Sequence, residues 1–189
     1  MSLIEILGAV LSALAVWLTS RRSMICWPVS LAAAGLYCWV FLKARLYADA
    51  GLQIAFSLYV IYGWRHWRRM EKPDGRIRVR RPSRRTLLNG LLCGAAGSAV
   101  WAFVLARFTN DPMPVTDATL TAYSILAQCW DTMRYRETWL LWIVVDSAYV
   151  ALFISRDLYP TAVLYAGFIL LAVNGYRLWK PDPPAASPS

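Results

Sequence analysis

Seven stretches of the chain contain no lysine or arginine: about 3–20, 24–42, 46–64, 87–106, 115–133, 138–155 and 158–176. Each is bounded by short charged or turn-like text. Each comes close to the roughly 20 apolar residues that one helix needs to cross a hydrocarbon core about 30 Å thick. The pattern therefore predicts an all-α membrane protein with seven short transmembrane helices. The few polar positions inside these stretches recur at helical spacing. In the fifth they are Asp117, Thr121, Ser124, Gln128 and Asp131. In the sixth, Trp139, Trp142, Asp146, Tyr149 and Phe153 share one face, and in the third Asp49, Gln53, Phe56, Val60 and Trp64 do. Such stripes are costly against lipid and face protein or a cavity.

Composition agrees with the pattern. The 189 residues are 58% hydrophobic and only 16% charged. A soluble chain of this size could not bury so much apolar surface. A soluble enzyme, a disordered chain and a secreted disulfide scaffold are excluded. The first stretch lacks a basic start and carries Glu5, so it reads as a span rather than a signal peptide. Cys26, Cys38, Cys93 and Cys129 all lie in apolar stretches without a CxxC pair and read as small buried hydrophobes. His66 is the only histidine, which leaves no material for a His-based metal site or a Ser-His-Asp triad. No Walker A sequence is present. The reading is of a non-enzyme without a cofactor.

Charge sets the expected orientation. Residues 65–85 hold ten of the twenty basic residues, and the positive-inside rule places them in the cytoplasm. Alternation over seven spans then puts sixteen basic residues inside and four (Lys43, Arg45, Arg107, Arg156) outside. The N-terminus is expected outside and the C-terminus in the cytoplasm. The net charge of +9 is read as a topology signal that also meets anionic lipid, not as a nucleic-acid site.

The chain also matches itself. From Arg22 onto Arg134, a constant offset of 112 residues aligns Trp27 with Trp139, Tyr37 with Tyr149, Gly63 with Gly175, Arg65 with Arg177 and Trp67 with Trp179. Thirteen identities fall in the 47 positions from 21 to 67, far more than composition predicts. Spans one to three match spans five to seven, and the fourth is unmatched. The expected organisation is a first three-helix repeat (1–67), a basic cytoplasmic loop (68–86), a linker helix (87–107), a second repeat (113–179) and a disordered tail (180–189). An odd number of intervening helices makes the copies parallel, a 3+1+3 design. Parallel repeats occur in secondary transporters, whose substrate site lies near mid-membrane between the repeats.

Asp146 is the only acid near the centre of a span, and an ionisable residue at that depth is costly unless paired or facing a polar cavity. Gln53 and Gln128 can donate to and accept from a ligand. Trp139, Trp142 and Tyr149 on the Asp146 face are read as stacking groups, whereas Trp67 and Trp179 are read as interfacial belts. Aromatic planes with amides and a carboxylate suit a flat ring bearing hydroxyls. Spans without lysine or arginine argue against a phosphorylated or carboxylated cargo, and a central aspartate suits a cationic or neutral one.

These segments resemble the nicotinamide riboside transporter (PnuC) family of bacterial inner-membrane proteins. The likeness runs from about residue 5 to Trp179. It rests on CWPVS with Tyr37 downstream, LYADAGLQ at 46–53, YGWRHW at 62–67, TDATLTAYSILAQ at 116–128, ETWLLWIVVDSAYVALF at 137–153 and LYPTAVLYAGFILLAVNGYRLW at 158–179. The resemblance implies a seven-helix, SWEET-like 3+1+3 fold, with a homotrimer among the expected assemblies. It also implies facilitated diffusion of an unphosphorylated vitamin precursor, trapped inside the cell by phosphorylation. By position it assigns selectivity to Trp27, Gln53, Tyr59, Trp64, Trp139, Trp142, Asp146 and Tyr165, beside Gln128 and Tyr149 from the stripes. Some relatives carry asparagine where this chain has Asp146, so nicotinamide riboside is the first expected cargo, by its frequency in the family, with thiamine as the alternative and riboflavin behind it. A membrane enzyme or a non-transporting subunit is the competing class.

Overall fold

The computed structural model describes residues 3–43, 47–69, 78–109 and 112–181. Its helices are α1 (Leu3–Ser20), α2 (Cys26–Lys43), α3 (Tyr47–Arg68), α4 (Arg84–Phe108), α5 (Pro114–Thr132), α6 (Thr138–Ser155) and α7 (Tyr159–Leu178). The protein is all-α, with seven helices among the described residues. The expected tail beyond residue 181 and the centre of the basic loop lie outside them. By length and composition α4, α6 and α7 are each apolar enough to cross a membrane, and shorter apolar stretches cover Ile6–Ser20 and Cys26–Val40.

The helix ends follow local chemistry. Pro114 and Pro160 sit in the first turns of α5 and α7, where a missing N–H costs nothing. The Ser83 side chain accepts from the Thr86 N–H at 3.1 Å and caps α4. That cap starts α4 three residues before the apolar stretch does. At the other flank, α3 continues through Arg65 and Arg68, cations that the carbonyl end of a helix favours. Three helices end on a non-glycine residue in the left-handed region: Arg22 (φ 58°), Arg134 (φ 63°) and Asp157 (φ 59°). After each, an N–H reaches back five residues: Ser23 to the Leu18 carbonyl at 3.1 Å, Tyr135 to Trp130 at 2.9 Å and Leu158 to Phe153 at 2.8 Å. This bond satisfies a carbonyl that the helix would otherwise leave bare, and it reverses the chain in a few residues.

The chain forms two compact units, Met1–Arg78 with α1–α3 and Val79–Ser189 with α4–α7. Within each unit, consecutive helices pack as hairpins. The turns at Arg22 and Arg134 are related by the 112-residue offset, and so is a buried motif. In the first unit Trp27 lies edge-on to Trp67, with centroids 4.9 Å apart, over Gly63. In the second, Trp139 lies edge-on to Trp179 at 5.3 Å over Gly175. A β-carbon on either glycine would collide with the indole ring, so the close approach of α2 to α3 and of α6 to α7 requires glycine. Trp67 and Trp179 are 0% exposed. The interfacial-belt expectation therefore fails for them: each is the inner half of an aromatic pair. Cys26 is buried as expected, but Cys93 is exposed on α4.

The second unit closes around Leu120, Ala127, Trp130, Leu141, Val145 and Leu152. The repeat leaves α4 unmatched, and α4 lies on α5 through small residues. Gly90 meets Trp130, Gly94 meets Tyr123, and the Ser98 and Thr119 hydroxyls are 2.7 Å apart. Residues four apart form one face of a helix, and small ones let the backbones come close. The α5–α6 turn is fastened twice more. Thr138 Oγ1 donates to the Ala127 carbonyl at 2.7 Å, and Arg136 Nε donates to the Tyr176 carbonyl at 3.0 Å. Arg136 also lies 3.9 Å over the Tyr176 ring. Facing outward, Val100, Phe103, Val144, Val163 and Leu170 form the exposed apolar surface that lipid covers.

Candidate functional site

In the second unit, α6 carries its predicted face along most of its length. Trp139 stands at the α5–α6 turn, Asp146 near the middle, and Tyr149 and Phe153 towards the α7 end. At 1.5 Å of rise per residue, Trp139 and Tyr149 are separated by about 15 Å along the axis. They cannot stack on the same ring. Trp139 is spent on Trp179 and Gly175, whereas Trp142 stays half-buried beside the α4–α5–α6 core.

The other end gathers rings instead. Tyr149 and Phe153 are parallel within 14° at 5.7 Å, and Tyr165 of α7 meets both at 5.0 Å. Phe168 extends the cluster at 5.4 Å from Tyr165. Two of the predicted residues, Tyr149 and Tyr165, are thus brought together from different helices. Beside them opens a pocket of about 280 Å³, lined by Asp117, Thr121, Tyr149, Leu152, Phe153, Arg156 and Leu158. The antiparallel hairpin makes this meeting, because the first turns of α5 face the last turns of α6. Asp117 and Thr121 belong to the α5 stripe. Arg156 reads in the sequence as a loop charge only, and nothing in its neighbours announces a pocket wall.

Asp146 is 4% exposed, and its carboxyl makes no hydrogen bond or ion pair with another described residue. A buried acid without such a partner is costly, which is why mid-span acids mark functional positions. Tyr149 lies within electrostatic reach of both Asp146 and Asp117. Gln128 is half-buried on α5. In the first unit, Gln53 and Trp64 are half-buried on α3, and Tyr59 is half-buried with its ring 6.3 Å from Tyr62. Trp27 is buried in its pair with Trp67. The Asp49 side chain lies outside the described residues. The Nε1 atoms of Trp27 and Trp139, corresponding positions of the repeat, are both buried without an acceptor among the described residues.

The profile of the nicotinamide mononucleotide transporter family matches residues 2–181. The chain belongs to that family. It is a multi-pass membrane transporter and not an enzyme. It is 26% identical over 204 residues to the nicotinamide riboside transporter PnuC of Escherichia coli (strain K12), a match covering 95% of this chain and 85% of that one. It is also 26% identical over 180 residues to the riboflavin/roseoflavin transporter RibM of Streptomyces davaonensis, covering 93% and 83%. Among solved structures it is similar to the crystal structure of the vitamin B3 transporter PnuC, with a TM-score of 0.73 at 23% identity. That match covers 91% of this chain and 78% of the other, and the fold is shared.

Proposed function

We propose that this transporter carries an unphosphorylated, ring-bearing vitamin precursor, nicotinamide riboside first, by facilitated diffusion. The observation that carries the reading is the lining of the second unit. Asp146 is buried on α6, Tyr149, Phe153 and Tyr165 gather their rings towards the end of the same hairpin, and the pocket beside them holds Asp117 and the Thr121 hydroxyl, with Arg156 at the helix end as its basic residue. A pyridinium ring on a ribose offers a cation for Asp146, a flat face for the aromatics and hydroxyls for the polar groups. At the level of Asp146 a phosphate would find no cation, since Arg156 stands only at the end of α6. The names of the similar PnuC proteins support the same cargo.

The remaining residues are proposed cargo contacts, each within its own unit. Gln53, Tyr59 and Trp64 of α3 and Gln128 of α5 supply hydrogen bonds and stacking. Trp142 is a proposed cargo contact, and the indole N–H groups of Trp27 and Trp139, without an acceptor among the described residues, are further proposed donors. The 112-residue correspondences support a SWEET-like 3+1+3 repeat that rocks between two access states. The charge asymmetry supports an outside N-terminus, a cytoplasmic C-terminus and a place in a bacterial inner membrane. A homotrimer is the proposed assembly, by the family resemblance.

Riboflavin is the second reading, favoured by the similarity to RibM. Uptake of nicotinamide riboside into proteoliposomes, without ATP or an ion gradient, tests the proposal. Downhill uptake that stops at equilibrium is expected. A strict need for a proton gradient would overturn uniport, and uptake of riboflavin alone would overturn the cargo.

A further inference from the structure

The pocket at the α6–α7 turn has a composition of its own. It places a carboxylate, Asp117, and a guanidinium, Arg156, around the Thr121 hydroxyl and the faces of Tyr149 and Phe153. One of its walls lies close along α6 to the deeper acid. Tyr149 lines the pocket and stands three residues, one helical turn or about 4.5 Å along the axis, from Asp146. The same tyrosine is in electrostatic reach of both Asp117 and Asp146.

The walls are held in place by the backbone. Arg156 donates its N–H to the Leu152 and Phe153 carbonyls at 3.2 and 3.3 Å, and Leu158 donates to Phe153 at 2.8 Å. Asp157 takes the left-handed conformation, and its carboxylate accepts from the Tyr159 hydroxyl at 3.0 Å. Across the pocket, Asp117 sits in the first turn of α5, where Pro114 fixes the backbone and the Asp117 N–H bonds the Met113 carbonyl at 3.1 Å. A preformed site binds without first having to order itself.

We propose that this pocket is a recognition subsite for organic cations. Asp117 draws in the positively charged ring, Tyr149 and Phe153 receive its face, and the cargo moves one turn along α6 to Asp146. Arg156, at the rim, opposes the same cation and turns the polar, hydroxyl-bearing end of the cargo towards itself. Asp117 is then a specificity-determining residue distinct from Asp146: it acts on capture, through charge, at a half-exposed position where salt screens the interaction. The inference rests on the transport reading above.

The experiment measures uptake into proteoliposomes of two ligands with the same shape, nicotinamide riboside with its cationic ring and the dihydro form with a neutral ring, at low and high salt. Asp117→Asn should raise KM for the cation about two- to fivefold at low salt, with kcat nearly unchanged. The difference should shrink at high salt, and the neutral form should be unaffected. Arg156→Gln should lower KM for the cation, and it provides the reading if Asp117→Asn does not fold. Equal KM changes for the two forms, or no change in either variant, would overturn the subsite while leaving the transport reading intact. No uptake of either form by the unsubstituted protein would overturn both.

Discussion

Replacing Gly175 with alanine places a methyl group 2.5 Å from Cδ2 and Cε2 of Trp139 and 2.7 Å from Cε3. Ordinary contact needs roughly 1 Å more, so something must move. The indole cannot: it is 2% exposed, and the edge of Trp179 holds it at 5.3 Å. Relief must come from α7 backing away from α6. Overpacking of this kind costs about 1–3 kcal/mol, against a gain of up to about 1 kcal/mol from alanine's better helix propensity. The expected net loss is about 1–2 kcal/mol. Thermal unfolding of the purified protein in detergent, followed by tryptophan fluorescence, reads it as a fall in Tm. Gly167→Ala is the built-in control. A β-carbon there meets nothing within 4 Å, so the same substitution on the same helix should be neutral or slightly stabilising. Gly63→Ala and Gly35→Ala form the corresponding pair in the first unit. Trp139→Leu combined with Gly175→Ala should lose less than the sum of the two single changes, because the methyl then has room. If Gly175→Ala unfolds at the same temperature as Gly167→Ala, the account of the glycine as a seat for the indole is wrong.

Asp146→Asn should weaken binding of a cationic cargo by about 1–3 kcal/mol, by loss of a charge-assisted contact, and leave a neutral analogue nearly unchanged. Isothermal calorimetry on both ligands checks this, and equal affinities for the cation before and after would remove Asp146 as its partner. Thr138→Val removes the buried bond to the Ala127 carbonyl and should cost about 1 kcal/mol, seen as a lower Tm and faster amide exchange at the α5–α6 turn. Asp157→Val forces a β-branched residue into the left-handed region and should cost about 1–2 kcal/mol, while Asp157→Gly should be tolerated; matching unfolding temperatures for the two would contradict the strain argument. Arg136→Lys keeps the charge but loses the planar stack on Tyr176 and should lower Tm slightly, whereas an unchanged Tm would show that the stack adds nothing.

The helices are legible in the residue pattern alone. Stretches free of cations must be helical to satisfy their backbone in lipid, so all seven helices could be counted from charge alone. The match of the chain to itself was legible as well, because rare residues such as Trp27 and Trp139 recur at one offset. The stripes on α5 and α6 were legible for the same reason, since polar residues at helical spacing need a shared non-lipid surroundings. The tertiary structure decided which side chains meet. Trp67 and Trp179 sit at helix ends, where a belt and a buried pair share one sequence signature, and only the facing glycine distinguishes them. Trp139 and Tyr149 share a face, but the length of the helix gives them different work. The pocket of Asp117 with Arg156 joins residues 39 positions apart, and no local pattern encodes a contact made by a hairpin closing. Period reports which way a residue points along its own helix. What it points at depends on the packing of the neighbouring helix, and that is set by small residues such as Gly63, Gly94 and Gly175, whose importance lies in the space they leave.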